Sequence, residues 1–190
     1  DKDGFIKIFK ELFLSDMLYT VWNKIYRREF LLENNLSFEQ YELGEDVRFN
    51  LDVYRKVNKI YLSQDFYYVY VTGRKGSAMS CYNPKRLQYQ LQELKLVDDL
   101  LEDWNLDNSN LDNNVKARIL MSNIYNITKQ KLPVNKKVKL VKEICKKQDI
   151  ADFIKNDSSV LNPLIKLLLK CRMYVVLIYL KKTQMILQHL

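Results

Sequence analysis

Only four glycines and three prolines punctuate 190 residues, and that scarcity constrains the fold more than any motif does. Tight sheet turns draw on residues that accept left-handed backbone or fix φ. With so few of them the chain argues against a loop-rich or all-β fold. Hydrophobic residues make up 47%, enough for a packed core and too many for wholesale disorder. The length suits one substantial domain or one and a half small ones. Thirteen tyrosines and eight phenylalanines read as core or cleft wall.

Periodicity divides the chain in two. In the first part, Phe5, Ile8, Phe9, Leu12 and Phe13 fall at helical spacing over 5–14, and Ser15-Asp16 ends that helix. The β-branched and aromatic run 19–26 predicts a strand. A short helix follows over 27–34, ended by Asn34-Asn35. A polar loop over 39–44 leads into a helix over 46–57, with Val47, Leu51 and Tyr54 on one face and Val53 and Val57 adjoining. Segments 59–62 and 66–71 read as two short strands, and Thr72–Ser80, which holds Gly73 and Gly76, as a mobile loop. From Pro84 onward the pattern is helical throughout, over 84–104, 111–130, 135–147, 148–156 and 160–189, with Pro133 and Pro163 as boundaries. Asn105–Asn114 is the best linker. The expectation is an α+β fold, predominantly helical, with a domain over 1–83 and a helical extension over 84–190.

Charge follows the same division. Residues 1–80 hold 12 Lys/Arg and 12 Asp/Glu, residues 81–112 hold 3 and 7, and residues 113–190 hold 16 and 4. The net charge of +8 is therefore C-terminal, suited to anionic lipid, nucleic acid or an acidic partner. No helix-turn-helix or RNA-module motif surrounds the cations, which sets nucleic acid last. Residues 158–190 carry five basic side chains and no acidic one. On a continuous helix Lys166, Lys170, Lys181, Gln184 and Gln188 share a face, and the apolar run 173–180 lies between them. Eight residues cannot span a bilayer, which takes about 20. An interfacial helix and a terminal helix packed on the core fit equally well.

Cys81, Cys145 and Cys171 show no CxxC spacing, and His189 is the single histidine. Zinc and haem motifs are absent, as are Ser-His-Asp and Cys-His arrangements, and the thiols read as isolated cysteines of a reducing compartment. No apolar signal segment follows Asp1-Lys2-Asp3-Gly4, and a start without Met reads as a fragment or a cleaved chain.

Three constellations offer chemistry. Gly44-Glu45-Asp46 sets two carboxylates after a flexible glycine at a helix start. Locally this is a helix cap with favourable dipole charge; functionally, it is a carboxylate at a cleft edge that can take a proton from a hydroxyl. Trp22-Asn23-Lys24, followed by Tyr26-Arg27-Arg28, joins an indole, an amide and cations, the mixture a sugar ring and its hydroxyls need. Tyr67–Tyr70 leads to Arg74-Lys75-Gly76-Ser77, where cations on a glycine-bearing loop suit phosphate oxygens. Taken singly, each of the last two is better read as ordinary core, strand or loop.

Their order resembles the second half of the family-two glycosyltransferases of bacterial surface (capsular) polysaccharide synthesis, which have the GT-A fold. That half runs W-N-K-L-Y-[KR]-R, a helix, F-x-E-G, E-D with a helix behind it, K-I, then Y-Y-Y-R ending in G-S. The matching residues are Trp22 to Arg28, Phe38-Glu39, Gly44 to Asn50, Lys59-Ile60, Tyr67–Tyr70 and Gly76-Ser77, within about 5–80. The resemblance implies inverting transfer of a sugar from a nucleotide-sugar donor to the hydroxyl of a glycan or lipid-linked acceptor. It implies Asp46 as general base and Glu45 as its positioning or acceptor contact. It also implies that Trp22, Asn23 and Lys24 line the acceptor or the donor-sugar side of the cleft, and that Arg74, Lys75 and Ser77 belong to the loop over the diphosphate. Val71 stands where the family has Arg. The family's D-x-D motif lies upstream of the matching half; Asp1-Lys2-Asp3 has its letters without the preceding strand. The Mg²⁺ or Mn²⁺ expected for the complete enzyme is thus assigned to a donor-binding half outside this chain, with no metal on these residues. The implied location is cytoplasmic, peripheral on the inner membrane face. The alternative is a non-catalytic helical module that binds a membrane or protein partner through its basic C-terminal half.

Overall fold

The computed structural model describes residues 1–65, 67–71 and 83–187, with side chains to 184. Of the described residues 66% are helical and none forms a strand. The helices are α1 (Lys2–Leu14), α2 (Arg28–Glu33), α3 (Glu45–Lys56), α4 (Arg86–Asp103), α5 (Ser109–Lys129), α6 (Val134–Cys145), α7 (Gln148–Asp152), α8 (Pro163–Lys170) and α9 (Tyr174–Leu187). A π-helical turn (Phe153–Asp157) and a 3₁₀ turn (Ser158–Val160) follow α7. They fall into two units, one from Asp1–Ser77 with Gln88–Leu111, the other from Ala78–Leu87 with Asp112–Leu190.

The expected α+β class is therefore corrected: the described residues form an all-helical structure. Segment 19–26 consists of turns and irregular chain, and 59–65 and 67–71 have no regular structure and no ladder. The reason is visible in their exposure. Tyr61 is 88% and Val69 85% exposed, so these side chains find no packed surface. Strand preference expresses that fit more than a backbone tendency, and a lone two-stranded pairing is marginal.

In the first unit the predicted phenylalanine stripe is the core. Phe5, Phe9 and Phe13 of α1 are buried. Phe9 meets Trp104 edge-on at 5.0 Å between centroids and Tyr54 of α3 at 6.0 Å. Val47, Phe49, Leu51 and Val53 of α3 and Leu94, Val97, Leu100 and Leu101 of α4 complete the apolar interior. Polar clamps tie the helices at their rims: Lys2 Nζ donates to the Arg55 carbonyl at 3.1 Å, Tyr89 donates to Glu42 at 3.2 Å, and Arg55 pairs with Asp103.

In the second unit α9 packs on α6 and α8, and the π-turn packs on α7 and α8. Leu120, Ile124, Val141, Ile150, Phe153 and Leu177 are almost fully buried. Asn162 caps α8 by accepting from the Leu164 amide at 3.0 Å, with Pro163 at the first helical position.

The scarcity of glycine is met by an unusual set of helix ends. Asp16, Asn35, Asn105 and Arg172 all take positive φ, between 52° and 65°. After each, the chain closes the same pair of hydrogen bonds. For α8, Met173 N–H donates to the Leu168 carbonyl at 2.8 Å and Arg172 N–H to Leu169 at 3.1 Å. Met17, Leu36 and Leu106 make the equivalent long bond to Leu12, Leu31 and Leu101. These are Schellman ends, with an apolar residue following the left-handed position each time. The expected single helix over 160–189 is therefore two, α8 and α9, broken at residues 171–173. The shared face drawn from Lys166 to Gln184 does not exist, and Gln188 lies outside the described residues. The linker also contracts, since α5 begins at Ser109.

Candidate functional site

One row of α3 organises the candidate site. Asp46, Asn50 and Tyr54 are four residues apart and so share a helix face, and all three bond to the segment that carries Trp22-Asn23-Lys24. Asp46 Oδ2 accepts from the Val21 amide at 3.3 Å. The Asn50 side chain, wholly buried, donates to the carbonyls of Leu18, Tyr19 and Thr20 at 3.1–3.2 Å. Its oxygen accepts from the Tyr26 hydroxyl at 2.5 Å. Tyr54 donates to the Leu18 carbonyl at 3.1 Å. A segment without regular structure is thereby fixed by side chains, as buried backbone groups require.

Gly44 is the N-cap residue of α3, at φ 85°. The backbone there favours glycine, and an added Cβ would in addition displace the flexible end of Glu93. The N-cap position is held by Gly44, and Asp46 is the second helical residue; its carboxylate accepts across the turn, from Val21. The expected capping role is thus corrected, while Glu45 and Asp46 remain acidic residues of the first turn. Asp46 is half-buried and Glu45 exposed.

The Trp22-Asn23-Lys24 set divides. Lys24 Nζ donates to the carbonyls of Met17 at 2.7 Å and Thr20 at 2.5 Å and to Asn23 Oδ1 at 2.8 Å. Asn23 donates back to Met17 at 3.0 Å. These two side chains close the 17–24 turn, which leaves them little to offer a ligand. Burial lowers the Lys24 pKa to about 8, opposed by the Asp46 charge. Burial, then the Asp46 charge, raises Tyr26 above its usual value. Trp22 differs: 40% exposed, it stacks with Tyr68 at 5.3 Å and Tyr70 at 5.1 Å. The three rings make a partly exposed aromatic stack, carried by the residue after Val21. Arg74, Lys75 and Ser77 lie outside the described residues.

Asn50 and Tyr26 were not singled out as site residues by their spacing. The available signal for Asn50 was one amide among the apolar positions of α3. Tyr68 and Tyr70 stood in the tyrosine run, without indication that they meet Trp22. Among the described residues no group of three or more His, Cys, Asp or Glu side chains is placed to hold a metal ion.

Chemically the arrangement offers a carboxylate at a helix start, anchored through one oxygen, near a partly exposed stack of aromatic rings. No family model, curated protein or solved structure matches the chain.

Proposed function

We propose that the chain is the acceptor-side portion of a nucleotide-sugar-dependent glycosyltransferase of cell-envelope polysaccharide synthesis. The observation that carries the reading is the hydrogen bond from Val21 to Asp46. It brings two segments of the ordered motif set together, with the carboxylate against the residue preceding Trp22. In this reading the acceptor sugar lies on the Trp22, Tyr68 and Tyr70 rings. Aromatic faces take the apolar face of a pyranose, and the surrounding polar groups orient its hydroxyls. Asp46 accepts the proton of the attacking hydroxyl as the oxygen bonds to the anomeric carbon and the nucleoside diphosphate leaves. Glu45 contacts the acceptor from the same turn. Asn23 and Lys24 act through the turn they close, and Asn50 and Tyr54 hold that turn on α3.

The donor nucleotide and the divalent metal belong to a half of the enzyme outside these residues, and no step on this chain runs through the metal. In this reading the reaction is cytoplasmic. Among the described residues no helix is long and apolar enough to cross a membrane. The alternative, a non-catalytic helical module binding through its basic C-terminal half, gives the Asp46 contact a structural role alone.

The test is transfer by the complete enzyme, offered a panel of labelled nucleotide sugars with cell-envelope glycan and lipid-linked acceptors. Labelled product is expected with one donor. Absence of both transfer and donor binding across the panel rejects the reading.

A further inference from the structure

The second unit ends in a surface with a consistent chemistry. In α9, Tyr174, Leu177 and Ile178 are buried, while Val175, Val176 and Tyr179 are 45–52% exposed. The spacing places Lys182 on the same outward face as Val175 and Tyr179, and Lys182 is exposed. Met173, at the turn before α9, is 46% exposed, and Leu164 and Leu167 of α8 are 50% and 56% exposed. Large apolar side chains thus remain outward on both helices after each has buried its core-facing row.

The charges carried by this terminal segment itself are of one sign; the acidic residues Glu143 and Asp157 lie on the elements packed against it. Residues 158–190 contain Lys166, Lys170, Arg172, Lys181 and Lys182 and no aspartate or glutamate. Lys155, Lys170 and Arg172 also line an open recess of about 370 Å³, together with Cys145, Ile154 and Tyr174, and no acidic side chain lines it. An apolar face rimmed by cations, with a tyrosine among them, matches a bilayer interface. There, apolar side chains enter the acyl boundary while long basic side chains reach back to headgroup phosphates. A protein partner that covered the face would need matching acidic groups, whereas an anionic leaflet supplies them everywhere.

We infer that the α8–α9 hairpin docks this unit on an anionic phospholipid surface. Val175, Val176 and Tyr179 enter the interface, and Lys170, Arg172 and Lys182 engage the phosphates. The recess takes one lipid phosphate between Lys155, Lys170 and Arg172. The docking stands independently of sugar transfer.

Sedimentation of the full chain with vesicles tests it, using phosphatidylcholine alone and phosphatidylcholine mixed with phosphatidylglycerol. Binding is expected with the mixed vesicles and not with the neutral ones. Each cation near an anionic surface strengthens binding roughly fivefold, so Lys170→Glu with Lys182→Glu is expected to weaken it by roughly twenty-five-fold or more. Val175→Ser with Tyr179→Ser is expected to weaken it comparably. All four side chains are outward, and circular dichroism of each variant should match wild type. Absent binding to mixed vesicles, equal binding to both kinds, or binding unchanged in the two variants overturns the proposal. So does loss of self-association on Val175→Ser/Tyr179→Ser in a chain that does not bind vesicles, which assigns the face to a second copy. No readout involves transfer, so this proposal and the catalytic reading fail separately.

Discussion

The backbone amide of Val21 donates to Oδ2 of Asp46 across 3.3 Å, joining the first turn of α3 to the segment that presents Trp22. The contact is the first of a row. Asn50 and Tyr54, one and two helical turns on, bond to the same segment. α3 thus positions the candidate site chiefly by the polar side chains on one of its faces.

Asn50 is the centre of that row. Replacing it with Ala leaves the Tyr19 carbonyl without its Asn50 donor, takes one of two donors from the Leu18 and Thr20 carbonyls, and strands the Tyr26 hydroxyl. A loss of about 2–4 kcal/mol is expected from desolvated groups left unpaired. Urea unfolding measures it. Asn50→Asp, similar in size but without the donor amide, is expected to fare no better than Ala, and a near-wild-type midpoint for both variants would contradict the role given to this row.

Gly44→Ala is expected to destabilise the chain by about 1–2 kcal/mol from left-handed backbone alone, with a further cost from displacing Glu93. Thermal unfolding of Gly44→Ala and of Gly44→Ala/Glu93→Ala separates the two terms. Partial recovery in the double variant is the expected result, and full recovery would mean that the backbone conformation carries no cost.

Lys24 gives a pH signature. Burial lowers its folded pKa to about 8 from 10.5, so between those values the unfolded chain binds more protons at this site. Stability from this site therefore rises with pH across that window, since a buried charge is relieved. Cys145 runs the other way. Burial raises its thiol from 9.0 to about 11, so its contribution is full below 9 and is lost as pH rises toward 11. The stability difference between wild type and Lys24→Met isolates the lysine. It should move in favour of wild type as pH rises from about 8 toward 10.5, and a difference that is flat or falls would be the contrary result.

How much of this was legible in the sequence differs by element. The α1 stripe was readable because Phe5, Phe9 and Phe13 repeat at the helical period and nothing competes with them. The end at Ser15-Asp16 and the end at Asn34-Asn35 were readable because Asp and Asn tolerate left-handed backbone. The break at Arg172 was not, since arginine carries no such signal; its cause is the pair of bonds from Arg172 and Met173 to carbonyls of α8. The strands assigned to 59–62 and 66–71 rested on side-chain type, and a strand needs a neighbour that no local pattern supplies. In the site, Asp46 and Trp22 were named by motif order. Their meeting through Val21 depends on Asn50, whose hydrogen bonds span about 30 positions of sequence.

Trp22→Ala tests the aromatic stack. The ring is partly exposed and its partners Tyr68 and Tyr70 are outward, so folding stability should change by less than about 1 kcal/mol. In the complete enzyme the acceptor KM is expected to rise several-fold with kcat reduced less, the pattern of lost acceptor binding. A fall in kcat at constant KM would place Trp22 elsewhere in the mechanism.

Asp46→Asn in the complete enzyme tests the central claim most directly, read by sugar transfer and by nucleotide-sugar binding on the same preparation. The substitution keeps the size of the side chain and an oxygen that can accept from Val21, but removes the group that takes the acceptor's proton. Turnover is expected to fall by at least roughly a hundredfold, with donor affinity unchanged. Transfer at the wild-type rate would remove Asp46 from the chemistry and leave it as the residue that holds Val21 on α3.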